Sequence, residues 1–334
     1  MKTVLTRTTK EVRPANPVNT KLGQCYFCSS ENLVILRNRL RHGIHKNILK
    51  CEACGLIYAQ SKENPVPFYR KKYRQKHGPI LGKTLSSQEL FEFNSPLQAP
   101  RIKQLSKLLK PSARVLDIGS STGHFLYAIK DKVKEVVGVE LNLANAEFTR
   151  RELGIKVYDE PIEKLALSDE YFDLITVYHT FEHVVDPLLF LKIVRRYLKP
   201  NGHLFIEVPN TDDALMSIYQ LKKFADFWFI EPHLFYYNPE TLKKVLARGG
   251  FEGRISTTQA FSLYNHLNWL YTGQPQADWL TATTIPRLPS GGSHAELKGE
   301  INKLLEKTDK QYRNLLNKNQ VGSMLTFLGT KSKS

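Results

Sequence analysis

An α/β fold with a doubly wound, mostly parallel sheet is predicted by three features of this 334-residue chain. Residues 115–126 read VLDIGSSTGHFL, an apolar strand that runs into a glycine-rich turn and then into a helical pattern. Residues 134–141 (KEVVGVEL) make a second apolar strand after that helix. Strand-like and helix-like segments then alternate as far as residue 258, the rhythm of strand–helix–strand crossovers.

The N-terminal third differs in charge from the rest. Residues 1–110 hold 21 Lys and Arg against 6 Asp and Glu, and the remainder 27 against 26, so nearly all of the +16 net charge precedes the glycine turn. Residues 1–22 are read as a basic tail. Such an extension suits nucleic acid, an anionic membrane or a phosphorylated small substrate, or is simply a solvated basic surface. The chain is long enough for a full α/β domain and a smaller companion. Its hydrophobic fraction is 41% and it has no apolar run near the ~18 residues of a membrane span. The first residues, MKTVLTRTTKEVRP, lack the apolar stretch of a secretory signal, and the expected location is cytoplasmic.

All four cysteines fall in residues 23–60, as Cys25-x2-Cys28 and Cys51-x2-Cys54 with 22 residues between the pairs. Thiolates two residues apart both reach one ion, and two such knuckles complete a closed tetrahedral Zn site, structural rather than catalytic. Disulfides are disfavoured in a reducing compartment. His42 and His45 lie between the pairs as substitute ligands. Residues 32–37 and 43–49 are expected to form a hairpin and residues 56–59 a third strand, together a small zinc ribbon. Residues 61–100 are read as linker and helical cover.

From residue 101 the elements follow in order. A helix over 102–109 precedes the first strand, 113–118. Gly119, Ser121 and Gly123 then turn the chain, since a missing Cβ lets the backbone curl and a ligand approach closely. The informative residue is Asp117. A loop built for a pyrophosphate uses backbone NH groups, and a carboxylate there would repel phosphates. It suits a cofactor with cationic groups and no phosphate, as in S-adenosylmethionine. Glu140 ends the second strand, placed to take both ribose hydroxyls. Helix 144–153, strand 155–158 and strand 171–178 follow. Asp186 caps a helix over 187–198, Pro200-Asn201-Gly202 ends it, and 203–208 is the fifth strand. A helix over 239–248, a strand over 251–258, an amphipathic helix over 294–316 and a strand over 324–329 complete the count.

With an acid at each of two successive strand tips, the chain resembles the class I S-adenosylmethionine-dependent methyltransferases. The resemblance implies a seven-stranded Rossmann-like sheet, with residues 324–329 antiparallel between the fifth and sixth strands. Ser121 stands where that family usually has glycine. CEACGLIYAQ, then Phe68-Tyr69 and Tyr73, resembles more narrowly the zinc-ribbon leader of bacterial methyltransferases that act on sugars and natural products. It implies that the ribbon helps enclose the acceptor, and that residues 159–163 border the adenine.

After the fourth strand the chain reads His179-Thr180-Phe181-Glu182-His183. It follows a strand, so the inverted zinc-peptidase helix is a poor match, and loops at the C-terminal ends of such strands line ligand crevices. In the resembling family this segment borders cofactor and acceptor. A quinone-type branch carries ExxEH there with a divalent metal, and His179 in place of the first acid counts against that ligand set. His179 is grouped instead with the cofactor-binding residues. His183 is the preferred acceptor-side base, the alternative being a Glu182–His183 pair that braces the loop. The aromatic run 224–237 contains His233, which matches the pHl element of the family's lid and is the second candidate base. Acceptor-side insertions are placed at about 211–238 and 260–320, within a methyltransferase domain over 101–334.

The expected function is methyl transfer to a small-molecule acceptor, a sugar or natural-product precursor, with phosphorylated or nucleotide-linked forms included. An RNA methyltransferase that uses the basic, aromatic-rich residues 68–74 is the alternative, and a noncatalytic binding module with the same fold is the third reading.

Overall fold

The computed structural model describes residues 23–60, 66–71 and 73–332; the expected basic tail, 1–22, lies outside them. The strands are β1 (Leu33–Arg39), β2 (His45–Cys51), β3 (Ile57–Ala59), β4 (Arg114–Ile118), β5 (Glu135–Val139), β6 (Lys156–Tyr158), β7 (Phe172–Tyr178), β8 (Leu198–Pro209), β9 (Phe235–Tyr236), β10 (Phe251–Thr258) and β11 (Met324–Lys331).

Seven of them form one sheet in the order β10-β11-β8-β7-β4-β5-β6. The pairs β4–β5, β4–β7, β5–β6 and β7–β8 are parallel, whereas β11 runs antiparallel to both β8 and β10. This is the seven-stranded Rossmann-like sheet expected from the sequence. Alternate residues of its central strands enter different cores. Leu116, Ile118, Ile175 and Val177 join one buried cluster, Val115, Leu174 and Tyr178 the other. Both faces are therefore covered, as a parallel sheet requires, and the strands read as continuous apolar runs.

Chain order reverses at β4, which has β5 on one side and β7 on the other. The crevice of a doubly wound sheet opens beyond the C-terminal strand ends at such a point. Asp117, Glu140 and His179 all stand at those ends.

Element ends shift slightly from their expected positions. Strand β8 begins at Leu198, earlier than the expected 203, because Leu198 already pairs with Phe172 before an irregularity in the ladder. The first helix runs Ala99–Leu105 rather than 102–109, and the late amphipathic helix Ala295–Lys318 rather than 294–316. Residues 260–290 differ more. They form two helices, Leu263–Thr272 and Trp279–Thr283, at the start of the acceptor-side insertion placed at about 260–320. Trp269 is buried against Phe224 and Phe227, at ring-centroid distances of 5.1 and 5.2 Å, so it serves as core.

The second sheet has the order β1-β2-β3-β9. Three strands come from the expected ribbon, and the fourth comes from the aromatic segment far along the chain. Phe235 pairs with Tyr58 and Tyr236 with Ile57. The Ala59 amide donates to the Leu234 carbonyl at 2.8 Å, and the Leu234 amide to the Glu182 carbonyl at 2.9 Å. The cysteine-bearing hairpin, the aromatic segment and the loop after β7 are thereby joined by main-chain hydrogen bonds. Among the described residues no helix is long and apolar enough to cross a membrane.

Candidate active site

A cavity of about 980 Å³ opens at the reversal of strand order, lined by Asp117, Gly119, Ser121, Glu140, His179 and His183 among others. The glycine turn forms its floor. Gly119 has φ +82°, and a Cβ there would stand 1.9 Å from Thr180 Oγ1, so no other residue fits without displacing the loop after β7. Gly123 has φ +69°, and its Cβ would stand 2.5 Å from Thr149 Cγ2. Ser121 takes φ +51°, a left-handed conformation that usually calls for glycine. Its amide donates to Glu140 Oε2 at 2.7 Å, which compensates the local strain. The departure at Ser121 therefore keeps the backbone shape that glycine would have.

Glu140 accepts a second amide bond from Asn142, at 2.7 Å on Oε1. A carboxylate offers about four acceptor sites, and these two amides fix its direction at the strand tip.

Asp117 is 3% exposed and accepts from Thr176 Oγ1 at 2.7 Å. Burial raises its pKa to about 7, against the opposing effects of Thr176 and Arg101. Its neighbours form a charged chain that the sequence did not reveal. Arg101 pairs with Glu207 at 2.9 Å, and Glu207 with His179 Nε2 at 3.2 Å. Burial favours the neutral form of Glu207, yet Arg101 and His179 hold it down at about 2. Burial likewise disfavours charged His179, but Glu182 and Glu207 outweigh it and lift that imidazole to about 9. At neutral pH His179 is thus a cation shared between two carboxylates.

The opposite wall is built from separate elements. Phe181–His183 is one 3-10 turn, and it places Glu182 inward at 2% exposure. Tyr69 comes from the short helix Val66–Lys71. Its hydroxyl donates to the Pro232 carbonyl at 3.0 Å and lies 2.7 Å from His183 Nδ1. His183 Nδ1 is itself 2.8 Å from that carbonyl, and its ring centroid is 4.9 Å from that of His233. Burial, then the neighbouring His183 and His179, hold the His233 pKa well below its ordinary value, so it is neutral. The structure thus brings His183 and His233 together, and adds Tyr69 and Glu182 to them. Phe68-Tyr69 and Glu182-His183 were visible as motifs, but the meeting of residues from these distant segments had no local signal.

The four cysteines converge away from this cavity. None is in a disulfide and three are buried, with Sγ–Sγ distances of 3.7 Å for Cys25–Cys54 and 3.5 Å for Cys28–Cys51. Tetrahedral zinc with bonds of about 2.3 Å places sulfurs about 3.8 Å apart, so the donor set fits that ion. His42 and His45 sit at the other end of the hairpin, where Arg39 pairs with His45, and are not part of the cluster. The cluster is tied to the main domain: Lys244 Nζ donates to the Cys54 carbonyl at 3.2 Å, and the Tyr26 hydroxyl to Asp186.

Residues 91–254 match the model of a family described as a methyltransferase domain. A ubiquinone biosynthesis O-methyltransferase from Histophilus somni is 34% identical over 107 residues, covering 29% of this chain and 45% of that protein. An uncharacterised protein from Methanocaldococcus jannaschii is 29% identical over 133 residues, covering 40% of this chain and 62% of its own length. The chain thus spans about half the length of these relatives. A crystal structure of an S-adenosylmethionine-dependent methyltransferase from Archaeoglobus fulgidus aligns with a TM-score of 0.47 at 23% identity, over 73% of this chain and 97% of that one. The strand order and the family match agree on the fold: the seven-stranded sheet is Rossmann-like, of the methyltransferase kind.

Proposed function

We propose that the protein transfers a methyl group from S-adenosylmethionine to a small-molecule acceptor, a sugar or a natural-product precursor, with nucleotide-linked forms included. The observation that carries this reading is the pair of acids at adjacent strand tips, Asp117 and Glu140, facing a histidine wall across one cavity.

When bound, S-adenosylmethionine supplies the methyl group on a sulfonium, open to in-line displacement. Glu140 is assigned to the ribose hydroxyls and Asp117 to the cofactor's ammonium. Gly119, Ser121 and Gly123 let the main chain approach closely, and His179 borders the cofactor from the next loop. Transfer of this kind asks the protein chiefly to align the reactants and exclude water. An oxygen or carbon nucleophile must also lose a proton, which assigns His183 and His233 to the activation of the acceptor. The relatives named O-methyltransferases support an oxygen acceptor.

The four cysteines are assigned to structural zinc. The division proposed is a ribbon over 23–60, linker and cover over 61–100, and a transfer domain over 101–334 with acceptor-side insertions at about 211–238 and 260–320. The rings of Phe68, Tyr69 and Tyr73 pack against one another and against His77 and His183. Rings occupied in this way support a small acceptor over an RNA strand stacked along the surface. The test is incubation with methyl-labelled cofactor and three acceptor pools: nucleotide sugars, phenolic precursors and bulk RNA. Label in either small-molecule pool is expected; label in RNA alone would overturn the reading.

A further inference from the structure

The helix Ala295–Lys318 carries more apolar surface than its own chain covers. The side that meets the rest of the molecule is marked by Asp309 and Leu316, both buried. Asp309 accepts from the Leu263 amide at 2.7 Å and from Arg313 Nε at 2.7 Å, and Arg313 also donates to the Ala260 carbonyl. These bonds dock the C-terminal half of the helix. Roughly 110° around the helix axis from that side, at 3.6 residues per turn, runs a second line of side chains. It contains Leu297, Leu304 and Leu315, which are 52%, 62% and 60% exposed. Half-buried Ile301 and exposed Thr308 fill the line between them.

Single exposed leucines are ordinary on a protein surface. Here they are aligned. Leu297, Ile301, Leu304 and Thr308 follow one another at the alternating four- and three-residue steps of a helix-pairing seam. The flank of that seam, on the side away from Asp309 and Leu316, changes sign along the helix. Glu296 and Glu300 stand on its N-terminal half, Lys307 and Lys318 on its C-terminal half, and all four are exposed. The ion pairs that the helix makes among the described residues, Arg287–Glu306 and Asp309–Arg313, use other side chains. A flank acidic at one end and basic at the other is complementary to a reversed copy of itself. A helix built to lie on an anionic membrane would instead be basic on its polar face.

We propose that the Ala295–Lys318 helices of two copies of this chain pair antiparallel, seam against seam, in a twofold-symmetric dimer. With the axis near residues 302–303, Ile301 packs on Leu304 of the second copy and Leu297 on its Thr308, each contact occurring twice. Glu300 then faces Lys307 of the second copy, also twice. Parallel pairing would set Glu300 beside Leu305 and Lys307 beside Tyr312, leaving no charge matched. The seam is short, so the contact lies at the small end of stable interfaces and the dimer should dissociate in the micromolar range.

The test is sedimentation equilibrium of the full chain, without cofactor or acceptor, from about 1 to about 100 μM protein. A monomer–dimer equilibrium is expected. Leu304→Glu changes an exposed side chain, and thermal unfolding checks that the fold is kept. It should weaken the dimer at least about 100-fold, because two carboxylates would be buried beside the axis. Glu300→Lys and Lys307→Glu should each weaken it about tenfold, and the two together should return it to within about threefold of wild type. A wild-type chain that stays monomeric over the whole range overturns the proposal, including where it binds anionic vesicles or a different protein instead. Dimerisation of a folded Leu304→Glu variant equal to that of wild type overturns it as well. So does a double charge swap that stays as weak as the single ones.

Discussion

On one side of the cavity the important groups lie within a single strand–turn–helix, Asp117 to Gly123, and at the tip of the neighbouring strand, Glu140. On the other side they come from four places in the chain: Tyr69, the Glu182–His183 turn, His233, and the ribbon strand β3 that holds the lid strand β9. The first arrangement depends on local backbone shape and buried charge. The second depends on long-range assembly, and the cysteine cluster is part of that assembly. Damage to the ribbon should therefore harm acceptor chemistry while sparing the cofactor site.

The largest separation is expected from loss of the zinc proposed for the four cysteines. A structural ion held by four thiolates supplies most of the folding free energy of so small a unit, and without it β3 would no longer hold β9. Cys51→Ala, or chelation under reducing conditions, should lower methyl transfer more than about 100-fold while cofactor affinity changes less than about threefold. Calorimetry with S-adenosylmethionine alongside a turnover assay reads both, and parallel losses would break the contrast.

Gly119→Ala attacks the other half. The added Cβ meets Thr180 Oγ1 at 1.9 Å in a left-handed conformation, a strain of about 1–3 kcal/mol. Cofactor affinity should fall roughly 30-fold, by the tenfold-per-1.4 kcal/mol relation, with zinc content unchanged. A smaller effect is expected from Tyr69→Phe, which removes one donor to Pro232 and one contact to His183. A single hydrogen bond of about 1 kcal/mol corresponds to a roughly five- to tenfold lower kcat, with cofactor KM unmoved.

The mildest probe is pH. Asp117 titrates at about 7 in the empty protein, and the cationic cofactor prefers it ionised. Affinity should fall about fivefold between pH 7 and pH 6, a dependence that Asp117→Asn abolishes. The stability effect has the opposite sign. The folded protein keeps a proton that an unfolded carboxyl loses near 3.8, so this group's contribution is full below that pH and is lost as pH rises through about 7. Thermal unfolding of the empty protein over that range checks it.

The same contrast explains what could be read from the sequence. Strands β4, β5 and β7 were legible as apolar runs because both faces of a parallel sheet are buried. Asp117, Glu140 and the glycines were legible because turn chemistry is local, and so was the cysteine pairing by its spacing. The pairing of β9 with the ribbon was not, since two residues of strand among many aromatics carry no register signal. Arg101 and Glu207, separated by 106 positions, look like ordinary surface charges until the fold buries them around His179. Trp269 falls within an expected acceptor-side insertion yet is core, since an aromatic side chain has the same local signature in a core as at a surface.

The most direct test of the cofactor assignment is a calorimetric titration of S-adenosylmethionine into Asp117→Asn. The amide keeps the acceptor that Thr176 Oγ1 contacts and removes only the charge. Affinity about 100-fold weaker, with wild-type zinc content and stability no lower than that of wild type, is the predicted result. Affinity within about threefold of wild type would contradict the assignment.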